Sequence, residues 1–367
     1  MPDDLAVSAF SPLFKNKQPL LDVRAPAEFE RGAFPVATNL PLLNDDERKA
    51  VSIRYREQGQ SAAIALGEKL LTGDTRTERL ALWSEYFDQN PGAALYCFRG
   101  GLRSKTVQLW LAAEGINAPL IRGGYKALRR FCLNVIEQAS KADKFLVIGG
   151  KTGSAKTHLL KELKFALDLE GHANHRGSAF GRRSQEQPNQ INFENQIAID
   201  LNNIEFAKAN KIFVEDESRA IGSLSIPHSL HRSMSNSPLA IIEEDFEFRV
   251  DTILNDYIHS NLKEYNALFP HSYRDIFADS LLSALLRIKR RLGVEPYTSI
   301  KLLMERALSE IDFAKSAELH RAWICKLLQD YYDPMYEYQL EKKSQRIVFR
   351  GSSSEFLDWS ERIDKSI

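Results

Sequence analysis

The segment Leu95-Tyr96-Cys97-Phe98-Arg99-Gly100-Gly101-Leu102-Arg103-Ser104 places one thiol among glycines and guanidinium groups. A cysteine attacks as its thiolate, a form favoured beside cations and beside the unpaired N–H groups of a helix start. Arg99, Arg103 and Lys105 supply the charge, Gly100 and Gly101 supply the turn, and no acid follows until Glu114. The loop reads as an anion cradle around a nucleophile: Cys97, Arg99 and Arg103 are the catalytic candidates, and Gly100 and Gly101 turn backbone N–H groups toward the bound anion. The competing reading is a small buried hydrophobe. Cys132 and Cys325, set in apolar runs, take that second reading.

A second cradle follows. Phe145-Leu146-Val147-Ile148 is an unbroken apolar strand, Gly149-Gly150-Lys151-Thr152-Gly153-Ser154-Ala155-Lys156-Thr157 comes directly after it, and a helix carrying Leu159, Leu160, Leu163 and Leu167 runs on to Gly171. Strand, glycine loop and helix in this order form a P-loop, whose backbone and lysine wrap phosphates and whose hydroxyl meets Mg²⁺. Gly150, Gly153, Ser154, Lys156 and Thr157 are the phosphate-binding candidates. Ala155 stands where the motif has its second glycine, a modest departure if φ there is negative. Ile212-Phe213-Val214-Glu215-Asp216-Glu217-Ser218 reads as a further strand ending in acids. Glu215 and Asp216 therefore join Thr157 as candidate Mg²⁺ ligands, with capping of the turn as the alternative.

Two basic segments could meet a polyanion. Residues 172–183 are polar, basic and broken by glycine, so they form a surface loop near the phosphates, with Arg176, Arg182 and Arg183 as candidate RNA contacts. Arg287, Lys289, Arg290 and Arg291 flank an apolar stripe of Leu281, Leu282, Leu285, Leu286 and Ile288 and are the other candidate set; a solvated helix face is the alternative. The pairs His172/His175 and His228/His231 lack the companions of a metal site and read as solvated or core histidines.

These residues need elements to hold them. Ala93, Leu95 and Tyr96 mark a buried strand before Cys97, and a helix over 104–111 follows it. Upstream, Leu20-Leu21-Asp22-Val23-Arg24 is a strand, Pro26 to Gly32 brackets a short helix, and residues 36–42 return to the sheet. Residues 44–91 have helical apolar spacing. Strands alternating with helices give an α/β fold with parallel sheets, in which ligands gather at the carboxyl ends of strands. The expected division is a first domain over 1–138, a P-loop α/β domain over 139–270 and a helical C-terminal part over 271–367.

With 367 residues, 43% of them hydrophobic, the chain can bury a core in more than one domain. Lys+Arg and Asp+Glu both number 49, so a nucleic acid would be met by a local patch rather than by overall charge. Three scattered cysteines make no disulfide framework, and neither a leader pattern nor a membrane-length apolar run is present, which points to a cytoplasmic enzyme with no membrane partner; a monomer is the working expectation, although the sequence carries no signal for the oligomeric state.

Asp22-Val23-Arg24-x-Pro26-x-Glu28-Phe29, Gly32, Asn39-Leu40-Pro41 and the Cys97 loop together resemble the rhodanese family over about a third of the chain. The loop is one residue longer than the usual rhodanese loop and has the Cys-x5-Arg spacing of tyrosine and dual-specificity phosphatases, which suits a tetrahedral phosphate-type anion. A rhodanese-like segment fused to a P-loop, with His175-Arg176-Gly177-Ser178-Ala179-Phe180-Gly181 and Val214-Glu215-Asp216-Glu217-Ser218-Arg219-x-Ile221-Gly222, closely resembles the bacterial tRNA 2-selenouridine synthase family over nearly its full length. That family usually has glycine at residue 155 and tryptophan at residue 98. The resemblance implies exchange of sulfur for selenium in 2-thiouridine at the tRNA wobble position, through an S-geranyl intermediate. Geranyl diphosphate and selenophosphate would be the co-substrates, Cys97 the essential selenium carrier, and a selenophosphate-supplying enzyme a partner. Two rivals remain: a Cys-x5-Arg phosphatase fused to a kinase-like P-loop domain, and a nucleotide-switched RNA-binding module without chemistry.

Overall fold

The computed structural model describes residues 4–365 except 205, 207, 311 and 312. The chain forms two compact units, Met1–Gln138 with Asn189–Asn203, and Ala139–Pro188 with Ile204–Ile367.

The first unit is built on strands β1 (Leu20–Asp22), β2 (Ala37–Asn39) and β3 (Ala94–Tyr96), all parallel in the order β2-β1-β3. Single parallel bridges, Leu95 to Leu120 and Leu5 to Ile121, carry the pairing further. Every residue of β1 and β3 is buried, as parallel strands covered on both faces require. The segment with helical spacing forms two helices, Asp45–Leu70 and Gly73–Gln89. Asn44 starts the first of them: its Oδ1 accepts from Glu47 N at 2.9 Å while Glu47 Oε2 accepts from Asn44 N at 2.8 Å, a reciprocal cap for two otherwise unpaired N–H groups. Trp83 from the second helix fills the core beneath the sheet and donates its indole N–H to Leu40 O at 3.0 Å.

The helix Gln190–Asn203, which the sequence reading keeps in the P-loop domain, belongs to this first unit. It buries Phe193, Ile197 and Leu201, and its Asn195 side chain donates to Ala33 O at 2.8 Å and accepts from Arg129 at 2.7 Å. Those partners lie 162 and 66 residues away, so no local pattern announces them.

The second unit carries a five-stranded parallel sheet of β4 (Phe145–Gly150), β5 (Ala166–Leu167), β6 (Ile212–Glu215), β9 (Leu239–Ile242) and β10 (Ile347–Gly351), ordered β10-β9-β4-β6-β5. Two short strands, β7 (Ala220–Ile221) and β8 (Leu224–Ser225), make a separate hairpin. The P-loop helix spans Lys156–Glu162 and is shorter than its apolar spacing suggests: Leu167 sits on β5, because pairing with β6 outweighs the local pattern. Because β10 completes the sheet, residues 271–367 are not a separate domain.

Helices then dominate, from Phe246–Ile253 through Ser260–Leu268, Tyr273–Leu292, Val294–Ser309 and Phe313–Leu327 to Asp333–Glu341. Two turns within this series are π-helical, Leu254–His259 and Leu328–Tyr332. The Tyr273–Leu292 helix buries Phe277, Leu281, Ala284, Leu285, Ile288 and Leu292, whereas Leu286, expected in the stripe, is 57% exposed. Leu286 is one position off the i, i+3, i+4 rows that face the core. No helix among the described residues is long and apolar enough to cross a membrane.

Candidate functional site

Cys97 follows β3 directly and leads into the helix Leu102–Ala113. Cys97 is 3% exposed; Gly101 N donates to Sγ at 3.3 Å, and the Ser104 hydroxyl lies 3.2 Å from Sγ. Burial alone would push this thiol up. The Ser104 hydroxyl, the N–H groups of Ser104 and Arg99 and the charge of Arg103 outweigh it and hold the thiol below its ordinary value. The Ser104 hydroxyl also reaches Gly101 O at 3.1 Å, so its single proton can swing from that carbonyl to sulfur when a thiolate forms.

Arg103 is committed elsewhere. Its guanidinium grips Glu28, at 2.6 Å to Oε2 and 3.3 Å to Oε1, and Arg48 holds the same carboxylate at 2.9 Å. The expected anion-binding fork is therefore closed on an acid 75 residues upstream. Burial would push Glu28 up, but Arg103 and then Arg48 keep its carboxyl below the usual range. Arg99 is exposed beside the Phe98 ring. A brace that the sequence reading missed holds the loop from behind: Tyr125 N donates to Cys97 O at 2.9 Å and Lys126 N to Phe98 O at 3.0 Å. Gly100, at φ +65°, and Gly124 pack so closely there that a side chain on Gly124 would collide with the Cys97 carbonyl. The Gly123-Gly124 pair just before a helix was the available signal.

In the second unit the P-loop closes on itself. Lys156 Nζ donates to Gly150 O at 2.8 Å and lies 3.4 Å from Ser154 Oγ, while Thr157 Oγ1 donates to Glu170 Oε2 at 3.0 Å. Ala155 has φ +53° and ψ +28°, the left-handed region, so the condition under which alanine would be harmless is not met. Arg249, 3% exposed, braces the loop: its Nε donates to Thr152 O at 3.0 Å and its fork holds Asp333.

The acids differ from the pair read off the sequence. Glu215 turns away from the phosphate loop; Oε2 accepts from Leu169 N at 3.0 Å, and Oε1 is buried without a partner. Burial, then the charges of Asp168, Glu170 and Glu217, push its carboxyl well up. Asp216 does face the cleft but is paired with Lys343 at 2.6 Å. The carboxylate that Thr157 contacts is Glu170, which in turn shares a hydrogen bond with Glu217. Desolvation pushes both upward, and the two acids facing each other raise Glu217 further. Among the described residues no group of three or more His, Cys, Asp or Glu could by itself hold a metal. A hydroxyl beside two carboxylates nevertheless suits Mg²⁺, which keeps waters and phosphate oxygens in its shell.

The P-loop opens into a cleft of about 1240 Å³. Arg176, Arg182, Arg183, Arg287 and Arg291 line it, so the two basic segments, a hundred residues apart in sequence, converge on the phosphate loop. Arg287 is positioned by Ala179 O at 2.7 Å, Arg176 by Asn261 Oδ1 at 2.7 Å and Arg183 by Glu264 at 3.8 Å. Lys289 and Arg290 do not reach the cleft; Lys289 lies over the Tyr297 ring at 4.8 Å, since the helix turns them away from the row of Arg287 and Arg291. His175 also lines the cleft, kept neutral first by burial and then by the surrounding arginines. Cys132 is a core thiol pushed up to about 12 by burial, and Cys325 is half-buried against the helical core.

A parallel sheet whose central strand runs into a lysine-tipped glycine loop, with acids at the end of the neighbouring strand, defines a protein of the P-loop class. Residues 143–366 match the family described as "tRNA 2-selenouridine synthase AAA domain". Curated relatives named tRNA 2-selenouridine synthase are 45% identical in Pseudomonas fluorescens, with 98% of each chain covered, and 47% identical in Cupriavidus pinatubonensis, with 95% of this chain and 96% of the relative covered. A third, from Azotobacter vinelandii, is 47% identical with 94% of each covered. The chain belongs to the tRNA 2-selenouridine synthase family and is a tRNA-modifying enzyme.

Proposed function

We propose that this enzyme converts 2-thiouridine at the wobble position of tRNA to 2-selenouridine through an S-geranyl intermediate, with geranyl diphosphate held by the P-loop and selenophosphate taken at Cys97. The observation that carries this reading is the convergence of the P-loop and five arginines on one large cleft, in a chain similar over almost its whole length to enzymes of that name. The exchange of sulfur for selenium has no evident need for a nucleoside triphosphate, whereas prenyl transfer needs a diphosphate leaving group.

In the first step the thiocarbonyl sulfur bonds to C1 of the geranyl group, the C–O bond breaks, diphosphate departs with the electron pair, and the uridine ring loses its N3 proton. Lys156 would leave Gly150 O for the diphosphate, where it stabilises charge that grows in the transition state, by about 3 kcal/mol for one such group. Mg²⁺, held by Thr157 with Glu170 and Glu217, would add charge neutralisation to the same leaving group. Arg176, Arg182, Arg183, Arg287 and Arg291 would hold phosphates of the tRNA backbone. Cys97, in the first unit, is read as the selenium carrier, and the rhodanese-like assignment of that unit rests on its β-strand, thiol-loop and helix order.

Single-turnover geranylation of thio-tRNA without added nucleotide tests the reading. Lys156→Ala should slow it by about a hundredfold. Cys97→Ser should geranylate normally and accumulate S-geranyl-tRNA without forming selenouridine. An unchanged Lys156→Ala rate, or a strict ATP requirement in the wild type, would remove the leaving-group role; normal selenouridine in Cys97→Ser would remove the carrier role.

A further inference from the structure

Beside the phosphate cleft lies an apolar annex. It opens from the floor of the P-loop and shares Thr152, Ser178, Ile253, Tyr257 and Tyr332 with the large cleft. Beyond these the walls are Phe180, Trp323, Ile324, Leu327 and Leu328. Phe180 stacks on Trp323 with ring centroids 5.8 Å apart, and the Trp323 N–H is already used by His320 Nδ1 at 2.9 Å. Ser178 and Tyr257 are likewise bonded to each other at 3.2 Å. Apart from the Tyr332 hydroxyl, which has no hydrogen-bond partner among the described residues, the inner wall offers aliphatic and aromatic surface.

Both π-helical turns among the described residues border this annex: Tyr257 belongs to Leu254–His259, while Leu328 and Tyr332 belong to Leu328–Tyr332. Such turns are rare, hold one residue more than an α-turn, and recur at functional sites. Here they bring Tyr257 and Tyr332 to the junction of a polyanion cradle and an apolar hollow, with Leu328 inside the hollow. A ligand matching that junction is anionic at one end and hydrocarbon at the other.

We propose that the annex is a tail site: an allylic diphosphate enters with its phosphates on the P-loop and lays its isoprenoid chain between the two π-turns, against Ile253, Ile324, Leu327 and Leu328. This rests on the diphosphate reading of the P-loop given above. In the present structure the annex is closed to about 20 Å³, scarcely more than a water requires. The tail is admitted by rotation of Leu327, Leu328 and Tyr332, and the pocket length then sets the preferred chain length.

The test compares head and tail separately on the full chain. Inorganic diphosphate reports the head site alone, and dimethylallyl, geranyl and farnesyl diphosphates add tails of increasing length. Wild type should bind geranyl diphosphate at least ~tenfold more tightly than inorganic diphosphate, since each buried methylene adds about fourfold. Leu327→Phe should weaken geranyl diphosphate by about tenfold and leave inorganic diphosphate unchanged. Leu327→Ala, which opens the annex and decides the matter if the larger side chain disrupts folding, should shift the preference toward farnesyl diphosphate. If geranyl diphosphate binds both variants as it binds wild type, with the chain-length order unchanged, the annex is not the tail site although the P-loop still takes diphosphate. If wild type binds none of these diphosphates, the reading of the P-loop itself falls and the tail site falls with it.

Discussion

Cys97 shows how much of a thiol's reactivity is set by one neighbouring hydroxyl. Burial works against the thiolate, and the nearby guanidinium of Arg103 is engaged by Glu28, so the Ser104 hydroxyl and the loop N–H groups carry most of the counterweight. Ser104→Ala should therefore raise the Cys97 pKa, seen as an upward shift in the midpoint of its alkylation rate against pH, with Cys132 silent in its core position; an unmoved midpoint would show that the backbone alone suffices. Glu217 behaves in the opposite sense. Its folded-state pKa is raised above the usual 4.5, so it binds a proton in the folded chain over a range where the unfolded chain has released it. Its contribution to stability is complete below pH ~4.5 and lost as pH rises through the folded value. Glu217→Gln should thus gain stability relative to wild type as pH rises from 5 to 8 in denaturant titrations, with the two curves meeting near the acid end.

At the level of elements, the P-loop trades backbone comfort for shape. Ala155 holds a left-handed conformation at the start of the Lys156–Glu162 helix, a position that costs an L-residue about 1–2 kcal/mol. Glycine removes that strain but brings back about 0.4–1 kcal/mol of unfolded-chain entropy. Ala155→Gly should therefore stabilise the second unit by about 0.5–1 kcal/mol, measurable as an upward shift in its denaturation midpoint; a loss of stability would mean that the methyl packs well enough to outweigh the strain. The loop tolerates this residue because it is held from outside, by Arg249 on Thr152 O and by the Arg249–Asp333 pair beneath. The two π-turns belong to the same trade, giving up regular helical packing to aim tyrosines into the cleft.

Across the whole molecule the charges cancel, 49 against 49, yet the second unit gathers five guanidinium groups around its phosphate loop. Such local concentration, not the sum, governs attraction to a polyanion. Neutralising Arg176, Arg182, Arg287 and Arg291 together should weaken tRNA binding and lower the slope of log K against log salt by about 0.7–0.9 for each backbone phosphate that is no longer neutralised. The pair Lys289 and Arg290, turned off the cleft, serves as the internal control and should leave the slope unchanged. Equal slopes for wild type and the cleft variant would exclude this surface from the RNA interface.

Much of this was legible in the residues themselves. Short apolar runs that stop at a glycine-rich turn fit strands buried on both faces, so the parallel sheets, the strand before Cys97 and the strand before the P-loop were readable, as were both loops, because their glycines and cations are contiguous. What tertiary structure decided were the relations between distant residues. Arg103 meets Glu28, Thr157 meets Glu170 instead of Glu215, and a helix at 190–203 docks on Ala33 and Arg129. It also decided which arginines share a cleft and which turn away. Spacing along a chain fixes which side chains share one face of one element, whereas the partner that each face meets depends on how elements pack, and only the folded chain supplies that.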